Sequence, residues 1–127
     1  MAIAYLIRKN NLPELLDRVG DFFLATAEEL NPSHPDVYLL RGWYEYEKDF
    51  YWRAIEHAKQ AIELDPDYAK AWIGLGFFSL KANQSEIAVK AFKRTLQLYP
   101  GYPNRAELVE LISESSAGKE KQLAGKL

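Results

Sequence analysis

The chain contains no cysteine, and this excludes a disulfide framework, a thiolate metal site and a cysteine nucleophile. Its only two histidines, His34 and His57, have no second histidine or cysteine at the spacing of a metal site. We therefore expect both to be surface residues, and we expect the protein to hold no metal ion and no cofactor.

Long apolar runs and a large excess of either charge are also missing. The N-terminal apolar run is only about seven residues long and no basic residue precedes it, so it does not fit a signal peptide. Nothing approaches the ~20 apolar residues of a membrane span. The net charge of −2 argues against a nucleic-acid or anionic-membrane partner. These absences predict a cytoplasmic protein without membrane insertion, and a length of 127 residues predicts one domain.

Signals for catalysis are missing as well. Gly118 and Gly125 each precede a lysine, but the upstream glycine and the following Ser or Thr of a phosphate loop are absent. Carboxylates such as Glu28 and Glu29 fall on predicted helix surfaces, with no apolar pocket to tune them for catalysis. We expect no catalytic residue and no enzymatic activity, and we expect residues 117–127 to form a flexible tail.

What the sequence does have is a regular period, because Pro32, Pro66 and Pro100 are evenly spaced. Further sets of similar residues share the spacing of these prolines: Leu30, Leu64 and Leu98; Ala27, Ala61 and Thr95; Gly20, Ala54 and Ala88; Gly42 and Gly76; Tyr38 and Trp72. A fixed period of about 34 residues is typical of a solenoid built from repeated helical units.

The stretch from Ala69 to Pro100 shows what each unit contains. Two apolar helix faces flank the turn residues 83–85, and they consist of Trp72, Leu75, Gly76 and Ser79 and then of Ala88, Phe92 and Thr95. Pro100 ends the second helix, because proline lacks the N–H and clashes with the preceding turn. The order Trp, Leu-Gly, Ala, aromatic, Pro resembles the tetratricopeptide repeat.

The resemblance implies an all-α fold, a right-handed α-solenoid of helix–turn–helix repeats. About three repeats would span residues 1–34, 35–68 and 69–102, and a capping helix would follow at about 104–115. The domain would then comprise residues 1–116, with seven helices and no sheet.

Local signals predict where the helices begin and end. Ala2–Lys9 is the predicted first helix, and Asn11 is the predicted N-cap of the second, which runs to about Leu30. In the middle repeat, Asp36 is predicted to cap a helix over Val37–Lys48, and a second helix follows over 51–64.

The middle repeat departs from the family pattern on its first helix. Arg41 and Glu45 stand where a leucine and an aromatic residue are expected, and their spacing lets them pair on the helix surface. Asp49 and Asn83 take the turn position that family members usually give to glycine, and both residue types tolerate a left-handed backbone.

The first helices of the middle and last repeats each carry a second apolar stripe. It consists of Leu39, Trp43 and Tyr46 in the middle repeat and of Ile73, Phe77 and Leu80 in the last. A helix that is apolar nearly all round is a buried helix. In the tetratricopeptide superhelix these positions line the concave surface, so the resemblance implies that they form, with Lys70, a groove for a partner peptide or amphipathic helix.

Two functions fit this surface. The first is a non-catalytic adaptor, scaffold or assembly factor that binds a protein partner in the groove. The alternative is a structural protein whose groove is filled by its own tail or by a second copy, which would give a homo-oligomer.

A carboxylate clamp of the co-chaperone type is not expected. That subfamily holds a terminal carboxylate with Lys and Asn residues of the first two repeats and Lys and Arg of the third. The positions in register here are Tyr5, Lys9, Leu40, Lys70 and Gly74. Only Lys70 agrees, so most of the charge-assisted hydrogen bonds are missing. Tyr5 and Lys9 are predicted as secondary partner contacts, and so is Trp52, which matches no core position of the family.

Overall fold

A computed structural model describes the backbone of residues 12–125 and the side chains of residues 18–116. Over the described backbone the chain forms six helices and no strand, which confirms the predicted all-α fold. In chain order they are α1 (Leu12–Leu30), α2 (Pro35–Glu47), α3 (Tyr51–Leu64), α4 (Ala69–Lys81), α5 (Ser85–Leu98) and α6 (Arg105–Gly125). The predicted helix Ala2–Lys9 and the predicted N-cap Asn11 lie outside the described residues.

The chain divides into two compact units, residues 1–33 and residues 34–127. In the first unit, α1 takes Pro13 into its first turn, where a missing N–H needs no partner. It ends at Leu30, as predicted. Phe22 and Phe23 lie edge to face with ring centroids 6.0 Å apart, and they are 67% and 65% exposed. The helix therefore carries an aromatic pair that is open to solvent.

In the second unit, α2 pairs with α3 and α4 pairs with α5 as two helix hairpins. Each hairpin turns through one residue with positive φ, Asp49 at 65° and Asn83 at 59°. Asp and Asn adopt this conformation more readily than other residues with a side chain, and the prediction for both positions is confirmed. After the first turn, the N–H of Phe50 donates to the carbonyl of Glu45 at 2.9 Å, which satisfies one of the last carbonyls of α2.

The start of α2 differs from the prediction. His34 and not Asp36 is the N-cap, because the Nδ1 of His34 accepts a hydrogen bond from the N–H of Asp36 at 3.1 Å. Pro35 is the first helical residue, a position for which its fixed φ is suited. The carboxylate of Asp36 is thereby left to make a different contact.

That contact links the starts of α2 and α4. The hydroxyl of Tyr68, the N-cap residue of α4, donates a hydrogen bond to the carboxylate of Asp36. Burial raises the pKa of Tyr68 to about 12, and the hydrogen bond to Asp36 and the negative charge of that carboxylate act in the same direction. One polar pair therefore joins two successive repeats.

Two glycines allow aromatic rings to approach the helix backbone. A Cβ on Gly42 of α2 would lie 2.8 Å from Cε2 of Phe78 and 3.3 Å from the carbonyl oxygen of Ala54. A Cβ on Gly76 of α4 would overlap the ring of Phe92. Both rings are fully buried, so neither has room to move aside.

The core of the second unit lies between the two hairpins and beneath α6. One cluster is built on Ile55, Leu75 and Phe78 from α3 and α4. The side chains around these three include Ala54, Ala58, Ala91 and the half-buried Trp72. The alanines leave room for the helices to approach closely.

A second cluster, made of Ala88, Phe92 and Leu108, holds α6 against α5. From this contact α6 continues to Gly125. The backbone of the predicted tail is therefore helical over residues 117–125, beyond the predicted end of the capping helix.

Replacing Ala88 by leucine tests the close packing around α5. Ala88 is fully buried beside Phe92 and Leu108, so the larger side chain overpacks the cluster. We expect the free energy of unfolding to fall by about 1–3 kcal/mol, measured by urea denaturation followed by circular dichroism. The matched control is Ala106→Leu on the exposed side of α6, where we expect a change within ~0.5 kcal/mol. Equal stability of the two variants would contradict the packing described here.

Replacing Tyr68 by phenylalanine tests the polar link between repeats. The loss of its hydrogen bond to Asp36 should lower the free energy of unfolding by about 1 kcal/mol at neutral pH. Because an unperturbed tyrosine has a pKa of about 10, the hydroxyl stabilises the fold fully below that pH, and its contribution is lost as the pH rises through about 12. The stability difference between the two proteins should therefore shrink between about pH 10 and about pH 12. A difference that stays constant over this range would show that the hydroxyl is not held in this contact.

Candidate functional site

The predicted groove residues follow the neighbouring helices α2 and α4. We call this set the apolar stripe: Leu39, Trp43, Tyr46, Ile73, Phe77 and Leu80. Five of the six are half-buried, with one side against the core and part of the side chain accessible. The exception is Leu39.

Leu39 does not lie on an accessible surface, contrary to the prediction. It is only 6% exposed and packs with Ala61 and Ala71. A Cβ on Gly74 would lie 2.8 Å from the Cδ1 of Leu39. Leu39 therefore fills the space that this glycine leaves between α2 and α4, and it is a core residue.

Trp43 is the centre of the stripe. Its ring centroid lies 4.8 Å from that of Phe78, 5.4 Å from that of Tyr46 and 6.4 Å from that of Phe77. Phe78 is fully buried, so this contact attaches the indole to the core. The contact with Phe77 joins the α2 half of the stripe to the α4 half. The result is one aromatic surface that crosses both helices.

The α4 half of the stripe lies over the second core cluster. Ile73, Phe77 and Leu80 are half-buried and pack against the cluster that contains Phe92. The rings of Phe77 and Phe92 meet edge to face, with centroids 5.2 Å apart. Because Phe92 is fully buried, Phe77 has a fixed support beneath it.

The other predicted contacts are spread over different parts of the chain. Lys70 is exposed at the start of α4, next to the stripe in sequence. Trp52 is 59% exposed on α3 and borders a cavity of about 270 Å³. The cavity is lined by Asp49, Phe50, Tyr51, Trp52, Arg53 and Ala82. Tyr5 and Lys9 lie outside the described residues.

Tyr51 is fixed at this turn, in contrast to Trp52. Its ring lies 5.7 Å from the ring of Tyr46, and its hydroxyl donates a hydrogen bond to Asp49 at 2.7 Å. That hydrogen bond raises the pKa of Tyr51 above its usual range. Tyr51 therefore supports the end of the stripe, whereas Trp52 is largely open to solvent.

Two buried polar atoms were not anticipated. Within the described residues, the Oε2 of Glu45 and the Oγ of Ser79 are buried without a hydrogen-bond partner. The two residues occupy the same position in successive repeats, where the family pattern has an aromatic residue. An unsatisfied buried polar group is destabilising, by about 1–3 kcal/mol.

Among the side chains that the structure describes, residues 18–116, no three or more His, Cys, Asp or Glu groups lie together as a metal ion would require. None of the six described helices combines the length and the hydropathy that a membrane span requires. The candidate site is the apolar stripe itself, with the exposed Lys70 close to it in sequence.

A family model agrees with the repeat pattern. The tetratricopeptide repeat model matches residues 51–112, which run from the start of α3 into α6. The matched region contains both halves of the α4–α5 hairpin.

Two curated relatives are similar in sequence to most of this chain. The peroxisomal targeting signal receptor of Saccharomyces cerevisiae is 32% identical over 105 residues, which are 83% of this chain and 17% of that receptor. The small glutamine-rich tetratricopeptide repeat-containing protein 2 of Mycosarcoma maydis is 28% identical over 98 residues, which are 77% of this chain and 26% of that protein. The chain thus spans between 17% and 26% of the length of these two relatives.

Solved structures share the fold. The crystal structure of MamA superimposes with a TM-score of 0.61 at 20% sequence identity, over 95% of this chain and 86% of that one. At this identity the likeness concerns the arrangement of helices.

A peptide that ends in Glu-Glu-Val-Asp should not bind saturably. Of the clamp positions that the structure describes, Leu40 is an aliphatic residue that is 55% exposed, and Gly74 is buried beneath Leu39. Of the three described clamp positions, Leu40, Lys70 and Gly74, Lys70 alone is able to donate a charged hydrogen bond to a carboxylate. The measurement is fluorescence anisotropy with a labelled peptide, and Lys70→Ala is the control. Tight binding that is lost in Lys70→Ala would overturn this prediction.

Proposed function

Because this chain belongs to the tetratricopeptide repeat family, we propose that it is a non-catalytic interaction module, which binds an amphipathic helix or peptide of a protein partner on its apolar stripe. As an adaptor, scaffold or assembly factor, it would hold its partner without changing it chemically. A cytoplasmic location stays a prediction.

One observation carries the proposal, namely the aromatic surface that Trp43 and Phe77 form across α2 and α4. Each ring is anchored on a buried phenylalanine, Trp43 on Phe78 and Phe77 on Phe92, yet each stays half-buried. Rigid, partly exposed aromatic side chains bury much area on binding and lose little entropy, so they are frequent hot spots.

The geometry favours a helix as the bound segment. The accessible residues of the stripe lie at helical spacing on two helices that run side by side. An amphipathic helix presents its own apolar residues at positions i, i+3 or i+4, and i+7, and it can lie along such a surface. The similarity to receptors for a targeting signal supports a role in binding a segment of another protein.

Removing the two central rings tests the proposal. A phage-displayed library of amphipathic helical peptides is selected on the wild-type protein, and binding of the selected peptides is measured by fluorescence anisotropy. Covering each side chain contributes on the order of 1.5–3 kcal/mol, so the double variant Trp43→Ser with Phe77→Ser should weaken binding by about a hundredfold or more. Leu80→Glu, which keeps both rings, should weaken it as well.

The matched control is the double variant Leu64→Ser with Tyr99→Ser. It also removes two large apolar side chains, and both are exposed outside the stripe at 44% and 48%. Its affinity should equal that of the wild type. Circular dichroism shows whether each variant is folded at the temperature of the measurement. Full-strength binding by a folded Trp43 and Phe77 variant, or by Leu80→Glu, would refute the proposed surface.

Light scattering after size exclusion separates this function from self-assembly. A partner-binding module should be monomeric without its peptide. A stable dimer that dissociates in the Trp43 and Phe77 variant would instead show that a second copy covers the stripe.

A further inference from the structure

The positions of α6 that correspond to the α4 half of the apolar stripe carry acidic as well as apolar residues. One repeat period beyond Ile73, Phe77 and Leu80 stand the three residues Glu107, Leu111 and Glu114. Leu111 is half-buried, as Phe77 is, whereas Glu107 and Glu114 are exposed. In α6, the helix that follows the last repeat, two carboxylates therefore stand at the positions where α4 has aliphatic side chains.

The core contacts of α6 involve the same cluster that supports the α4 half of the stripe. Leu108 is only 1% exposed and packs with Ala88 and Phe92. Leu111 of α6 and Phe77 of the stripe pack against that same cluster. In the described part of the chain, α6 packs on α5 and its backbone does not approach that of α4, so α6 and the stripe are related through the cluster that both pack against. Glu107 and Glu114 stand four residues before and three residues after Leu111, so they flank it on one face of α6.

Glu107 and Glu114 are available for a partner. Within the described residues, neither carboxylate forms an ion pair or a side-chain hydrogen bond. The cations of α4 are Lys70 and Lys81, which stand at the two ends of that helix and are exposed. The centre of the stripe is uncharged, and the α6 border is negative.

We propose that the bound segment is an amphipathic helix with a basic end, whose apolar residues cover the apolar stripe and whose Lys or Arg side chains lie against Glu107 and Glu114. This inference rests on the proposed function and specifies the chemistry of its partner. Opposite charges at the border of an apolar contact orient the partner and select it over segments that carry acidic residues there. An acidic end would leave like charges facing each other.

Two defined peptides test the inference. Both are fluorescein-labelled amphipathic helices with the same Leu and Trp residues at i, i+4 and i+7, and they differ only in carrying Lys or Glu residues in one terminal turn. On the wild-type protein the Lys peptide should bind about three- to tenfold more tightly, as two partly exposed charge pairs predict. The preference should decline as salt is raised, because exposed charges are screened.

Charge reversal on α6 completes the test. The double variant Glu107→Lys with Glu114→Lys should prefer the Glu peptide. The control Glu63→Lys changes an exposed carboxylate on α3, outside the stripe, and should keep the wild-type preference. Circular dichroism confirms that each variant is folded.

The outcomes separate this inference from the proposed function. If both peptides bind equally, and Trp43→Ser with Phe77→Ser weakens both, the stripe is a binding surface but the basic end is wrong. The inference also fails if reversal of Glu107 and Glu114 leaves the preference unchanged. If neither peptide binds the wild-type protein, the proposed function and the inference are both overturned.

Discussion

The second unit depends on the contact between buried aromatic rings and the glycines of its first helices. Phe92 lies against Gly76 within the α4–α5 hairpin, and Phe78 of α4 lies against Gly42 of α2. A rigid ring that rests on bare backbone leaves no room for a methyl group, so these contacts fix both the separation and the rotation of the helices. The rotation in turn holds the second apolar face of α2 and α4 away from the hairpin interior, and this creates the stripe.

The turns within the two helix hairpins could be predicted, because a single residue determines each of them. Asp49 and Asn83 act through their own backbone conformation, and their neighbours matter little. The start of α2 could not be predicted, because His34 and Asp36, which flank Pro35, are both able to cap a helix. The predicted end of α6, near Ser115, is too early. The unfavourable helix propensity of the tail glycines is outweighed by the favourable propensity of the strong helix formers around them.

The positions of the stripe follow from the period, but their burial depends on other helices. Ala58 stands where the next repeat has Phe92, so α3 brings no ring to Gly42, and Phe78 from α4 takes that place. In the same way, Leu39 is buried because Gly74 lies opposite it. A pattern within one helix cannot reveal such complementarity, since the partner residue belongs to the neighbouring repeat. Leu111 of α6 can be assigned to the cluster beneath the stripe only once the packing of α6 is known, because the sequence pattern marks that helix as a cap.

The hydrogen bond from Tyr68 to Asp36 joins neighbouring repeats, and so do the aromatic contacts of Trp43 with Phe77 and Phe78. Each repeat is therefore stabilised by itself and by its immediate neighbours, as in a one-dimensional array. Such a chain can be lengthened or shortened by whole repeats without disturbing the contacts elsewhere. An insertion of any other length within a helix would rotate every later residue off its neighbour. Adding or removing a whole repeat is thus a far easier route to a new binding surface than inserting residues within a helix.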